Sequence, residues 1–199
     1  RGFVDSRALN AAGRITDYST SGVVKTWKLG FTSQLNDLIR LRGTVSRDIR
    51  AANLAELFNS GTAIQSSAID PKTHINVPIF ATTSGNPKLA PEKADTVSAG
   101  IVLSPAPRFN LSLDYYSIKL KDAIFSVSTA QVLARCNAGE LTFCSQLDFD
   151  GPNGALSQVR TFPRNLSAQN VSGLDFQMDY QMPLGSGKLQ SRLVSNYTL

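Results

Sequence analysis

Few residues of this 199-residue chain combine in a pattern that chemistry could use. Its single histidine, His74, lies in a proline-rich stretch with no motif around it. Two cysteines, Cys136 and Cys144, stand eight positions apart with no Cys-x-x-Cys pair, and His74 is far away in sequence, so a metal site lacks ligands. Their spacing reads as a disulfide closing one loop, which implies an oxidising compartment; the alternative is two unlinked buried thiols. Gly185-Ser186-Gly187-Lys188 resembles the end of a phosphate-binding loop, but the first glycine and the hydroxyl residue after the lysine are absent, and it reads as a turn. Asp175 and Asp179 would share one strand face, ~13 Å apart along it, which is too far for a glycosidase pair. There is no Gly-x-Ser-x-Gly elbow. Catalytic residues, metal ligands and cofactors are therefore expected to be none.

The elements that carry these residues are strands. Residues 171–182 alternate, with Leu174, Phe176, Met178, Tyr180 and Met182 on one side and Asp175, Gln177, Asp179 and Gln181 on the other. A polar turn at Pro183 to Gly187 leads into a second amphipathic strand over 189–199. The same alternation predicts strands over 9–18, 23–31, 38–47, 95–103 and 110–119, so about seven are present. Arg40 and Arg42 fall on a polar face, which is solvent in a soluble sandwich and a water-filled lumen in a barrel. Apolar phase slips at Tyr115-Tyr116, which predicts either a bulge or exit from a membrane. Two long connections, 48–92 and about 121–164, break the pattern with prolines and glycines. Within them, Asn53 with Glu56 and Ser128 with Gln131 predict capped helices over 54–58 and 129–135. Residues 156–162 read as a strand extending the sheet.

Composition narrows the setting. The chain is 42% hydrophobic and 18% charged, below the roughly 25% charge usual in soluble domains. Its net charge is +5, but the basic residues are scattered without interleaved aromatics, which argues against nucleic acid as a partner. No stretch approaches the ~18 apolar residues of a membrane helix, a limit that does not apply to barrel strands. Both ends read as cut, so the chain is expected to be a fragment. The fold expected is all-β: an antiparallel transmembrane β-barrel fragment with two long extracellular loops, short turns at one end and long connections at the other. Seven strands cannot close an even-stranded barrel, so further strands would complete it. The alternative is a secreted soluble β-sandwich that binds through its loops, in which Asn-x-Ser/Thr triplets at Asn110, Asn165, Asn170 and Asn196 could be glycosylated.

Three segments carry a resemblance. RDIRAANLAELF at 47–58, NPKLAPEKADTVSAG at 86–100 and LSLDYYSIKLKDAI at 111–124 resemble the C-terminal half of the barrel of TonB-dependent receptors. The pattern departs at Ala52, where that family often has proline. The cysteine loop before Gly173-Leu174-Asp175-Phe176 also resembles a subgroup of these receptors.

This resemblance implies an active transporter of the Gram-negative outer membrane, whose barrel of about twenty-two strands surrounds a plug. Residues 1–199 would be part of one barrel domain, without plug or TonB box. The implied partners are TonB with its inner-membrane energy complex, outer-membrane lipid, and a small-molecule or glycan substrate such as a ferric siderophore, haem or cobalamin. No enzyme activity is implied. Leu174, Phe176, Met178 and Tyr180 would face lipid. Arg47, Arg50 and Glu56 would either anchor a loop at a charged rim or line the mouth and contact an anionic ligand.

Overall fold

Regular alternation produces strands that are long for a globular protein, and shorter elements fill the two interruptions. The computed structural model describes residues 6–166 and 168–199. In chain order the elements are β1 (Ser6–Tyr18), β2 (Gly22–Gln34), β3 (Ile39–Arg50), α1 (Leu54–Phe58), β4 (Thr62–Ile69), β5 (Asn76–Thr83), β6 (Glu92–Ala106) and β7 (Phe109–Lys121). They continue with β8 (Ala123–Ser126), α2 (Thr129–Asn137), α3 (Leu141–Cys144), β9 (Leu147–Asp148), a 3-10 turn (Pro152–Gly154), β10 (Gln158–Thr161), β11 (Pro163–Leu166), β12 (Gln169–Leu184) and β13 (Gly187–Thr198). The chain divides into two units, one of residues 6–50, 93–121 and 168–199, the other of 51–92 and 122–166.

The first unit is a seven-stranded sheet in the order β1-β2-β3-β6-β7-β12-β13. Its registered ladders are antiparallel, and β1 and β13 form open edges, so the barrel is not closed within these residues. The tight turns β2–β3, β6–β7 and β12–β13 fall at one end of the sheet, and both long connections leave from the other. Register puts Leu174, Phe176, Met178 and Tyr180 opposite Tyr115, Leu113, Leu111 and Phe109, so the apolar residues of successive strands share one face. Leu174 to Met182 covers ~26 Å of strand, close to the ~25 Å apolar band of an outer-membrane barrel. That face is open: Leu9 is 88% exposed, Leu29 55% and Leu193 51%.

The second unit holds the core. Leu57, Ile79, Leu89, Val132, Leu156 and Val159 are buried, and among the described residues no side chain of the hydrophobic core comes from the long sheet. Burial here follows from a four-stranded sheet, β4-β5-β10-β9, whose inner residues pack with α2 and α3 into one cluster. Ala52, Leu57 and Leu89 form a smaller cluster with Ile124.

Three expectations change. Residues 48–92 hold more than the one helix expected there, because β4 and β5 form a hairpin with eight registered pairs. Residues 158–161 do not extend the long sheet; β10 pairs parallel to β5 in the second unit, since its Val159 is needed in that core. The phase slip at Tyr115-Tyr116 is not a bulge. There β7 pairs residue for residue with β6 and β12, and the one irregularity of the β6–β7 ladder lies between Leu103 and Ala106.

Candidate functional site

The face opposite the apolar one is a lattice of paired polar groups. Arg42 on β3 donates from Nε and Nη2 to both carboxylate oxygens of Asp114 on β7, at 2.7 and 2.6 Å. β6 lies between those strands, and the residue beneath the bridge is Gly100; a Cβ there would overlap the Asp114 carboxylate. The device recurs at Gly173 on β12, where Tyr116 lies over the glycine and its hydroxyl accepts from Asn196 Nδ2 on β13 at 3.2 Å. Asn196 Nδ2 also donates to Asp175. Further along, Asp179 accepts from Gln177 Nε2 and from Arg192 Nε. Every carboxylate on this stretch of β7 and β12 therefore has a donor, the condition for keeping charge on a partly covered surface.

A recess of about 480 Å³ opens on this face, between Arg42, Asp114, Asp175 and Gln177. A larger one, about 630 Å³, lies on the apolar face between Leu9, Phe31, Val45 and Val97. Its lining has no charged group, so it is a gap between outward side chains and offers no recognition chemistry. No metal-holding cluster of three His, Cys, Asp or Glu residues occurs among the described residues, and no described helix is long and apolar enough to cross a membrane.

The sequence-predicted residues do not converge. Arg47 lies opposite Trp27, on the apolar side of β3, and donates from Nε and Nη2 to Asp95 at 2.6 and 3.0 Å. Lys121 Nζ reaches the same carboxylate at 3.2 Å. Glu56 is engaged in the capping box of α1: its carboxylate accepts the Asn53 N–H while Asn53 Oδ1 accepts the Glu56 N–H. Arg50 ends β3 and has a partner of its own. Each of these three groups is engaged by other groups of the chain.

Cys136 and Cys144 are joined, with Cα atoms 4.7 Å apart, linking the end of α2 to the end of α3. This holds Phe143 in the second unit's core, where the Arg164 guanidinium stacks between Phe143 and Phe162 at 4.9 and 4.6 Å. The two insertions are tied across sequence. Asp70, with no exposed surface, accepts the Leu156 N–H on one carboxylate oxygen and the Lys72 N–H on the other. Those amides, Leu156 first, hold its carboxyl below the ordinary aspartate range. Asn165 bonds both the N–H and the C=O of Ala90, and Asn86 Nδ2 donates to the Pro163 carbonyl.

Sequence reading put Arg42, Gln177 and Asp179 on polar faces but predicted none of the pairings, and it did not name Asp114. The available signal was glycine inside two long strands, at positions 100 and 173.

The sequence pattern of the family described as TonB dependent receptor-like, beta-barrel, matches residues 5–199. Among solved structures, the siderophore receptor PirA from Acinetobacter baumannii is similar over 98% of this chain and 26% of its own, with 18% identity and a TM-score of 0.67. A variant of the ferric enterobactin receptor PfeA from Pseudomonas aeruginosa, solved with enterobactin, matches over 98% of this chain and 25% of its own, with 18% identity and a TM-score of 0.68. The RagAB peptide importer matches over 98% and 20%, with 12% identity and a TM-score of 0.56. At these identities the likeness is one of fold. The chain spans about a quarter of the length of the siderophore receptors it matches. No curated protein matches its sequence.

Proposed function

Because the chain belongs to the TonB-dependent receptor β-barrel family, we propose that it supplies barrel wall and two surface insertions of an active uptake receptor in the Gram-negative outer membrane. One observation carries this reading: the long sheet contributes nothing to the hydrophobic core while exposing a continuous apolar face. In water that face would be an aggregation surface; in a bilayer it is the required one. A soluble sandwich would need a second sheet against it, and the four-stranded sheet spends its own apolar side on α2 and α3.

In this reading residues 1–199 all belong to one barrel domain, and the plug comes from other sequence. Leu174, Phe176, Met178 and Tyr180 face lipid. The polar lattice around Arg42–Asp114 faces the lumen. Arg47, Arg50 and Glu56 anchor the first insertion. The Cys136–Cys144 disulfide stiffens the second, in keeping with an oxidising compartment. The cargo is a scarce nutrient (a ferric siderophore, haem, cobalamin or a glycan), and import is driven through TonB and its inner-membrane complex. The solved siderophore receptors make a ferric siderophore the first cargo to try. The protein acts as a transporter and not as an enzyme.

The test uses the full-length receptor in a strain stripped of its own uptake receptors. It should fractionate with the outer membrane and restore uptake of at least one labelled nutrient of these classes, only when TonB is intact. Recovery in the soluble fraction, or uptake indifferent to TonB, would overturn the reading.

A further inference from the structure

The four-stranded sheet of the second unit ends on an open edge. β4 forms it, paired only with β5. The closure of that hairpin fixes which backbone groups point outward. The Asp70 N–H donates to the Ile75 carbonyl and the Asp70 carbonyl accepts from the His74 N–H, so Asp70 turns both groups toward β5. Direction alternates along an antiparallel strand. Ala63, Gln65, Ser67 and Ile69 therefore turn their N–H and C=O groups away from β5, and among the described residues no hydrogen bond reaches them. Sheet edges are ordinarily blunted by brevity, charge, proline or a bulge. At the other margin of this sheet, β9 is two residues long and holds Asp148 in a pair with Arg160. β4 runs for eight residues, TAIQSSAI, in unbroken register and with none of these devices, and all of it except Ala68 is exposed. A recess of about 470 Å³ reaches this strand at Gln65. Pro78, Phe80, Pro152, Leu156 and Ser157 complete most of its wall, and no charged side chain lines it. Gln65 stands opposite Phe80, so both lie on the face away from buried Ile79.

We propose that β4 is a docking edge for an extended segment of a partner protein, uncharged along the ladder and carrying one large apolar residue that enters this recess. The occupant must be polypeptide, because a row of alternating N–H and C=O groups is matched in register only by another strand. The unit already grows in this way, since β10 of one insertion joins β5 of the other by a ladder. A segment bonded to the outward groups of Gln65 places its opposite side chain on Gln65's face, where a large residue reaches over Gln65 toward Phe80. An uncharged lining favours an apolar group there. Backbone bonds then supply affinity, and the recess selects the side chain. The proposal rests on the second unit alone and does not depend on the cargo of the barrel.

The experiment is residue-resolved hydrogen exchange of the full-length receptor in neutral detergent, alone and with the capped peptide Thr-Val-Thr-Phe-Thr-Val-Thr. Alone, the amides of Ala63, Gln65, Ser67 and Ile69 should exchange fast, and those of Ile64, Ser66 and Ala68 slowly. With the peptide at about ten times its Kd, the four outward amides should slow about tenfold and the inward ones should not change. Alanine in place of the peptide's phenylalanine should weaken binding about tenfold. Ser67→Pro removes an outward N–H without touching the bonds to β5, and it should abolish the protection at Gln65 and Ile69. Outward amides that stay fast with the peptide at millimolar concentration would overturn the proposal using the wild-type protein alone. So would outward amides already slow without peptide: persistence on dilution would mean that another insertion of the same receptor covers β4, and loss on dilution that a second copy does. Equal binding of the alanine peptide would remove the recess from the site. A Ser67→Pro receptor whose inward amides remain slow, yet which the peptide still protects, would rule out strand addition.

Discussion

Arg42 and Asp114 pair across a strand that belongs to neither. The guanidinium on β3 passes over Gly100 of β6 to both oxygens of the carboxylate on β7. The bridge is half open to solvent on its arginine side, so its own contribution is modest. The glycine beneath it is the more sensitive position. Arg42→Ala should cost under ~1 kcal/mol, whereas Gly100→Leu should cost about 1–3 kcal/mol through overlap with Asp114 and the Leu113 carbonyl. Urea unfolding of the receptor folded into vesicles would measure both. A Gly100→Leu protein as stable as the wild type would contradict this account.

The two faces of β12 should respond oppositely to one kind of substitution. Phe176→Arg places a cation in the apolar band and should destabilise the folded barrel by about 2–4 kcal/mol. Gln177→Arg, one residue on, enters the polar lattice beside Asp179 and should be nearly neutral. Folding efficiency into vesicles separates the pair, and equal effects would mean that the faces are wrongly assigned.

Removing the disulfide should act locally. Cys136→Ser with Cys144→Ser releases a short loop, a loss of about 2–3 kcal/mol by loop-closure entropy. The cost falls on the unit that contains Phe143, not on the long sheet. Limited proteolysis of the full receptor should reveal new cleavage within 129–144, while heat-dependent gel mobility stays unchanged. Resistance equal to the wild type would show the linkage to be dispensable there.

Asp70 gives the insertions an acid limit. Its carboxyl is held below the ordinary range, so its contribution is complete above the unfolded value of ~3.9 and is lost as pH falls through the lower folded value. Hydrogen exchange at the Leu156 amide, corrected for its intrinsic pH dependence, should be slow at neutral pH and quicken only in strong acid. Asp70→Asn replaces an acceptor with a donor and should exchange rapidly already at neutral pH. A pH-independent wild-type profile would remove Asp70 from this role.

The long sheet was legible because most of its length separates apolar from polar residues at period two, and its turns carry proline, glycine or Asn36-Asp37. The second unit was not. In β4, Ala63, Ile64, Ala68 and Ile69 fall on both parities, and in β5 Pro78 interrupts a strand it cannot support with a donor. Nothing in 158–161 announces a parallel partner 78 positions earlier, since that pairing is set by a shared core. The capping boxes were readable because their bonds are local: α1 begins and ends where expected, and α2 runs two residues longer. Arg47 shares its parity with Val45, but its pairing with Asp95 was not legible, because that carboxylate lies 48 positions away in sequence.

The interlocking of the two insertions has a consequence for how such receptors diversify. Asp70 with Leu156, Asn86 with Pro163, Asn165 with Ala90, and the parallel ladder of β5 and β10 all join residues from one insertion to the other. A recombination breakpoint between 92 and 122 would split this unit and strand half of each bond with a foreign partner. Surface specificity should therefore be inherited, or grafted by an engineer, as a single cassette that includes the intervening hairpin of β6 and β7.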